Sequence, residues 1–362
     1  MILLVLGSSF AFGGDREPID IGIRFGYYQQ IDSGGIPQVD EDARVIQGVF
    51  IVDAPVTDRD TIHVNGLVDI VSSASITREH NKKYRVLQSG ASGVVHGGGG
   101  IGYAHRFDEL ELSVGVTAAF EYAYYSLGSN LGLSVPLFEK TATLTWGISG
   151  FYDTVRMIRF NGEDEPDETR WTLGTNLGWS HILTPTTLVA LSLSWTSQGG
   201  MLAAQFNSVF LGNREAAEVL PGSRHRGSAT LRLKQGFAAH HSVEIDGRYY
   251  RDTWGVNAAT FNTGYSVYLD AAHRLLLNLG YRVHLQDAAD DHSEEFASTD
   301  TSQFHTQDPD LGAFIGHMAT VGFTVADIFA ADYGDADFEA NYYHRDNGLD
   351  MFWFAIGYRF SL

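Results

Sequence analysis

The stretch that decides the fold is Met351-Phe-Trp-Phe-Ala-Ile-Gly-Tyr-Arg-Phe-Ser-Leu362, at the end of the sequence. Its alternate residues fall into two groups. The first group is wholly apolar and consists of Phe352, Phe354, Ile356, Tyr358, Phe360 and Leu362. The second is mixed and consists of Met351, Trp353, Ala355, Gly357, Arg359 and Ser361. Because successive side chains of a β-strand point to opposite faces, this pattern predicts a strand with one face against an apolar phase.

The same division recurs along the chain, and loop lengths show which all-β fold it belongs to. Candidate strands lie at 19–32, 45–58, 61–75, 98–108, 109–121, 124–136, 140–153, 169–183, 186–198, 223–236, 241–254, 258–270, 274–287, 311–326, 335–345 and 351–362. Most even-numbered connections are short turns, such as Thr184-Pro185 and Ala271-Ala272. Several odd-numbered connections are long and acidic, namely 76–97, 154–168, 199–222 and 288–310. This segregation predicts a transmembrane antiparallel β-barrel of about 16 strands, with short periplasmic turns and long extracellular loops.

Composition agrees with this fold and excludes several classes of protein. The chain of 362 residues has 40 Gly, 22 Phe and 17 Tyr, which suits a curved wall with aromatic girdles. It has no Cys, so disulfides and thiolate metal sites are excluded. The formal net charge of −20 argues against a nucleic-acid partner. No long apolar run follows the N-terminus, which excludes a helical membrane protein.

Both ends of the chain predict export to the bacterial outer membrane. Residues 1–13 resemble the second half of a signal peptide, an apolar run ending in small residues. We expect residues 14–362 to form one barrel domain embedded in outer-membrane lipid, with both termini in the periplasm. Gly357, Phe360 and Leu362 resemble the C-terminal signal by which the barrel-assembly machinery recognises its clients. A final strand with unpaired edge hydrogen bonds could template insertion before closure.

The lumen-facing positions of three strands form the most distinctive candidate site. The polar, charged and aromatic side chains that share this face are Arg224, Arg226, Arg248, Tyr250, Asp252, Trp254, Arg282, His284 and Gln286, and we expect them to line the pore or bind a partner. Seven of them are expected to gather inside the outer mouth, namely Arg224, Arg226, Tyr250, Asp252, Trp254, His284 and Gln286. Arg224, Arg226 and Asp252 are expected to form one network. Arg232 and Lys234 are expected to lie lower, near Glu244 and Asp246. The cluster either braces the wall through charge-assisted hydrogen bonds, or forms a constriction that selects anionic solutes or grips a partner.

These residues predict a porin-like channel for small hydrophilic solutes. The alternative is a non-conducting outer-membrane scaffold that holds a periplasmic or surface protein. We expect neither enzymatic activity nor a cofactor, because no nucleotide loop or catalytic constellation is apparent. The loop from Asp290 through His305 to Asp310 could bind a cation, although such acidic loops are usually only solvated.

Four segments carry a family resemblance, namely Val68-Asp-Ile-Val-Ser-Ser-Ala-Ser75, Pro221-Gly-Ser-Arg-His-Arg226, Gly247-Arg-Tyr-Tyr-Arg-Asp-Thr-Trp-Gly255 and Tyr281-Arg-Val-His-Leu-Gln-Asp-Ala-Ala289. They resemble the signature segments of a proteobacterial outer-membrane β-barrel family described only as a domain of unknown function. The most specific piece is Tyr-x-x-Asp-x-Trp-Gly. The resemblance runs from about residue 20 to the end. Members of the family tend to be encoded beside a flavin transferase and a thioredoxin-like protein, so the resemblance implies a redox or surface-assembly role.

Overall fold

A computed structural model describes residues 18–32, 43–73, 94–121, 124–159, 163–203, 207–238, 240–328 and 334–362. The segment expected to be a signal peptide, 1–13, and most of the loop at 76–97 lie outside these residues. Within the described residues, no helix is long and apolar enough to cross a membrane. One short 3-10 turn covers Pro309–Leu311.

The described strands occur in chain order as follows: β1 Asp20–Asp32, β2 Ala43–Pro55, β3 Asp60–Ser73, β4 Val94–Arg106, β5 Glu111–Glu121, β6 Tyr124–Leu137, β7 Ala142–Val155, β8 Glu168–Thr184, β9 Thr187–Gly200, β10 Ser208–Leu211, β11 Arg214–Ala217, β12 Ser223–Phe237, β13 His241–Asp252, β14 Asn257–Tyr268, β15 Leu275–Gln286, β16 Phe314–Val325, β17 Asp335–Arg345 and β18 Leu349–Ser361. The strands β10 and β11 form a separate hairpin inside a loop. The other 16 form one closed antiparallel barrel, which confirms the predicted fold.

Closure joins the first strand to the last. Residues of β1 pair antiparallel with β18 from Asp20 opposite Ser361 to Asp32 opposite Leu349. Beyond the strands, Ile19 and Leu362 exchange two backbone hydrogen bonds of 3.0 and 2.9 Å. The barrel therefore has no exposed sheet edge. The start of β1 and the end of β18 lie at the rim that carries the short turns, and the described parts of the long loops lie at the opposite rim.

The two faces of the wall follow the predicted alternation. Large apolar side chains that are exposed lie on the outward face, for example Phe25, Val116, Leu279 and Ile356. The inward face carries mostly polar and small residues, among them the ion pairs described below. The strand at 94–106 differs from its predicted bounds of 98–108, because the run Gly97-Gly-Gly-Gly100 lies within the strand instead of at its start.

Candidate functional site

The site begins where β13 ends, at the turn between Asp252 and Asn257. One carboxylate oxygen of Asp252, Oδ1, accepts hydrogen bonds from the backbone N–H groups of Trp254 (2.9 Å) and Val256 (3.1 Å). Gly255 has a φ of +90°, a conformation that side chains with a Cβ rarely adopt. The Asp-x-Trp-Gly part of the signature segment thus builds a tight turn at the long-loop rim, from Asp252 to Asn257, which we call the anchor turn.

The second carboxylate oxygen of Asp252 holds a buried ion pair. Its Oδ2 accepts from Arg224 Nε at 2.8 Å and from the Tyr250 hydroxyl at 2.7 Å. The Asp252 side chain is 0% exposed and that of Arg224 13%. A pair removed from water in this way is stable only when its remaining donors and acceptors are satisfied. Here the turn and Tyr250 satisfy the carboxylate, and the ion pair ties β12 to the end of β13.

Trp254 is the hydrophobic anchor of this site. It packs with Val256, Ala289 and Leu311 in a small buried core, and its indole N–H donates to the Ser223 carbonyl at 2.9 Å. The Arg224 guanidinium carbon lies 4.2 Å from the centre of the Trp254 ring. Trp254 was predicted to line the lumen, but β13 ends before it, and in the turn its ring is covered instead.

The cover is built from the described residues of two long loops, 201–203 with 207–222 and 287–313, which we call the loop cap. Val219 and His305 exchange backbone hydrogen bonds of 3.2 and 2.9 Å. The backbone N–H of Phe210 donates to Gln307 Oε1 at 2.7 Å, and the Val209 side chain is completely buried. These acidic loops are therefore packed against each other, although the sequence suggested that they would be solvated.

A second set of contacts clamps the cap to β15 and β17. Arg345 Nη1 bonds to Asp310 Oδ1 at 2.6 Å. The Gln286 amide donates to the carbonyls of Asp310 and Gly312 at 2.8 and 2.9 Å. Asp308 caps the 3-10 turn between them, and burial together with the nearby charge of Asp310 raises the pKa of Asp308 to about 6. Gln286, predicted to line the lumen, holds the cap in place.

The remaining predicted site residues stay on the wall below the cap. Arg226 lies opposite Asp252 in register but donates to the side-chain oxygen of Gln198. Arg248 is exposed and lies over the Tyr250 ring, with 5.8 Å to its centre. The exposed Arg282 donates to Asn262, and His284 lies 2.8 Å from the Thr260 hydroxyl. Thus Arg224 joins Asp252 as expected, while Arg226 has a separate neutral partner.

The lower cluster is placed as expected. Arg232 Nε lies 3.2 Å from Glu244 and 4.0 Å from Asp246, and Lys234 lies 3.9 Å from Glu244. Asp246 also accepts a 2.6 Å hydrogen bond from Asn262. These pairs hold β12 against β13 nearer the short-turn rim.

The cap does not bring metal ligands together. In the part of the chain that the structure describes, no three His, Asp or Glu side chains lie close enough to hold a metal ion. Burial instead raises the pKa of Asp291, with the neighbouring charge of Asp290 adding to the effect, and lowers the pKa of His292. These groups pack into the cap.

The C-terminal signal residues lie on the closing strand. Gly357 is buried opposite Asp337, whereas Phe360 stacks on Tyr358 with ring centres 5.6 Å apart. Leu362 is exposed beside Ile19. Their role in assembly stays a prediction.

Sequence reasoning missed three parts of the site. The β10–β11 hairpin could have been found from Gly212-Asn213, a dipeptide typical of two-residue hairpin turns, after the apolar run Val209-Phe-Leu211. The clamp between Arg345 and Asp310 joins positions far apart in sequence, so alternation could not reveal it. The inward pair of Arg170 and the buried Asp153, whose Nε and Oδ2 lie 2.8 Å apart, could have been found, because the two residues face each other on adjacent strands and alternation places both inward.

Comparisons with solved structures agree with the fold. A bacterial polysaccharide outer membrane secretin aligns with a TM-score of 0.55 and 10% identity, over 96% of this chain and 99% of that chain. A BenF-like porin from Pseudomonas fluorescens Pf-5 aligns with a TM-score of 0.47 and 9% identity, over 95% of this chain and 98% of that chain. At this identity the first likeness shows the fold alone, which is that of an outer-membrane β-barrel.

Comparison of the sequence with curated proteins gives no match. A family model does match, over residues 97–353, a range that contains three of the four quoted segments and begins after Val68–Ser75. The matched range includes the anchor turn, both loops of the cap and the arginines below it. The chain belongs to the family described as protein of unknown function, DUF3570.

Proposed function

We propose that the protein is a passive channel for small hydrophilic solutes in the outer membrane. A closed barrel of 16 strands is wide enough to enclose water-filled space when side chains do not fill it. Its inward face is polar, and its outward face carries the exposed apolar side chains. In this proposal the short turns and both termini face the periplasm, and the loop cap lies at the cell surface.

The observation that carries the proposal is the middle of the wall formed by β4 to β9, where the inward side chains are small and uncharged. The inward charged pair of Asp153 and Arg170 lies above it, nearer the long-loop rim. Inward positions in the middle of this wall are mainly Gly, Ser, Thr and Asn, for example Gly102, Ser113, Gly115, Asn130, Gly147, Ser149, Gly174, Asn176, Ser192 and Ser194. The Asn130 amide oxygen lies only 2.6 Å from where a Cβ would stand at Gly115. Asn130 therefore lies along the wall across its glycine neighbour, and does not project toward the barrel axis.

The loop cap gives this lumen a restricted entrance. The Trp254 core and the Arg345–Asp310 pair support it between β12 and β17. The small-residue wall begins at β9, which pairs with β12, and continues round the barrel to β4 on the far side. We propose that solutes pass between the cap and that wall, which limits their size.

Single cysteines test the proposal, because the chain has none of its own. Ser149 and Gly150 are neighbours on β7, with Ser149 on the inward face and Gly150 on the outward face, where a Cβ would meet nothing within 4 Å. Ser149→Cys and Gly150→Cys would each be placed in a planar lipid bilayer and treated with a charged methanethiosulfonate reagent. We expect a steady current that falls only for Ser149→Cys.

Two outcomes would count against the channel. A barrel that carries no current, with or without the reagent, would favour the scaffold alternative. A current that responds equally at both positions would show that ions do not pass along this wall.

A further inference from the structure

In the part of the chain that the structure describes, three inward-facing arginines in the long-loop half of the barrel have only neutral partners. Arg226 donates to Gln198, Arg282 donates to Asn262 at 2.6 Å, and Arg248 lies over Tyr250. Among the described residues, no carboxylate forms an ion pair with any of these three guanidinium groups. Arg226 Nε is moreover buried without a hydrogen-bond partner in that part of the chain.

The carboxylates of this region are already engaged. Asp252 is surrounded by Arg224, Tyr250 and the anchor turn. Asp310 pairs with Arg345. Asp246, which is buried, accepts from Asn262 and lies 4.0 Å from Arg232. The wall formed by β12 to β15 therefore presents unneutralised positive charge to the lumen.

Strand register brings two of these charges to the same place. Arg248 on β13 lies opposite Thr260 of β14, which in turn lies opposite His284 of β15. Two residues further along, Asn262 of β14 lies opposite Arg282 of β15. Since neighbouring strands are about 4.8 Å apart, β13 and β15 are separated by about 10 Å. The exposed Arg248 and Arg282 thus flank the inward face of β14, which carries no charged residue.

We propose that Arg248 and Arg282 form an anion-binding site over β14, which takes small solutes bearing a carboxylate or phosphate group. A planar guanidinium group donates two parallel hydrogen bonds to such oxyanions, and two flanking groups can grip one anion from both sides. The neutral Thr260 and Asn262 beneath it offer no repulsion. The inference deepens the proposed channel by naming its solute class, but binding at the site does not require conduction.

The test removes both charges and compares an arginine on the opposite face of the same strand. Arg248→Gln combined with Arg282→Gln changes the site, whereas Arg251→Gln removes one outward-facing, exposed arginine of β13. In 0.1 M salt, a positive unit charge about 8 Å from the path of an ion raises the local concentration of a monovalent anion about 1.5-fold. It lowers the local concentration of a monovalent cation by the same factor. We therefore expect the chloride-over-potassium permeability ratio, from reversal potentials, to fall about fivefold in the double variant and to stay unchanged in Arg251→Gln.

Inorganic phosphate distinguishes binding at a defined anion site from a general attraction of anions by the positive charge of the wall. Added on the long-loop side, it should block the chloride current of the native barrel saturably, and the block should be lost in the double variant. An unchanged permeability ratio, an equal change in Arg251→Gln, or a block that survives the double substitution would overturn the inference and leave the channel intact.

Equilibrium dialysis of phosphate against the folded, detergent-solubilised barrel separates the two proposals. If the barrel carries no current but binds phosphate saturably, and the double variant does not, the channel fails and the anion site stands. Absence of saturable binding to the native barrel would overturn the anion site whatever the conductance shows.

Discussion

Replacing Asp252 by asparagine perturbs the anchor turn while keeping its shape. In the native protein Oδ1 accepts from the backbone N–H groups of Trp254 and Val256, and Oδ2 accepts from Arg224 and Tyr250. The asparagine oxygen can keep the two backbone bonds. Its amide nitrogen then replaces Oδ2 and places a donor against the donors of Arg224 and Tyr250.

The expected loss follows from the burial of the pair. Arg224 is 13% exposed, so its charge would remain largely out of water without a counter-charge. Breaking a buried pair by removing one partner costs about 3–5 kcal/mol. Because the turn is retained, we expect Asp252→Asn to lower the free energy of unfolding by an amount in this range. Urea titration of the barrel refolded in lipid vesicles measures it.

A double-mutant cycle identifies the partner. Asp252→Asn combined with Arg224→Gln should recover about 0.5–3 kcal/mol relative to the sum of the single changes, because the two side chains are in contact. Arg226→Gln is the matched control, since Arg226 donates to Gln198 although it lies opposite Asp252 in register. Strict additivity with Arg224, or stronger coupling to Arg226, would refute this assignment of the buried pair.

Three further predictions test the topology, the outward face and the cap. A cysteine at Asn213 in the cap hairpin should react with an impermeant maleimide on intact cells and one at Ala271 in a short turn should not; the reverse result would invert the orientation. Leu279→Arg on the outward face should lower the free energy of unfolding by about 2–4 kcal/mol in the same urea titration. Asn278→Arg on the inward face should lower it clearly less, and equal losses would mean that the two faces are misassigned. Because the pKa of Asp308 is raised to about 6, docking of the cap should be strongest below pH 4 and weaken as the pH rises through 6. Loop proteolysis should therefore be slower at pH 5 than at pH 7.5, and a difference that persists in Asp308→Asn would exclude Asp308 as its cause.

The barrel could be predicted from the sequence because the alternation of apolar and other residues can be read within each strand by itself. An outward position must be apolar and an inward one need not be, so a period of two marks every strand, including β18 with Phe352 and Ile356 outward. Turn lengths then separate the two rims. The ends of the strands are harder to predict than their middles. In β4 the glycine run gives no alternation signal, because glycine is found on both faces of the wall.

The site was predicted only in part, because the rule stops where the strands stop. Arg226, Arg248, Arg282 and His284 lie within strands, and alternation places them on the inward face. Trp254 lies two residues beyond β13, in the turn that the carboxylate of Asp252 stabilises. Alternation holds only within strands, so it does not indicate which way the Trp254 side chain faces. The cap depends on pairing between loops distant in sequence, for which a single sequence offers only the hairpin signal.

The loop cap also has a consequence for the order in which the protein folds. His305 bonds to the carbonyl of Ala217, 88 positions away, and β12 to β15 lie between them in the chain. Contacts of such long range are formed late, after the entropy cost of the intervening chain has been met by strand pairing. Weakening the cap should therefore hasten its opening without slowing insertion of the barrel. Substitutions in the cap should thus change the stability of the cap while the route of the wall into the membrane stays the same.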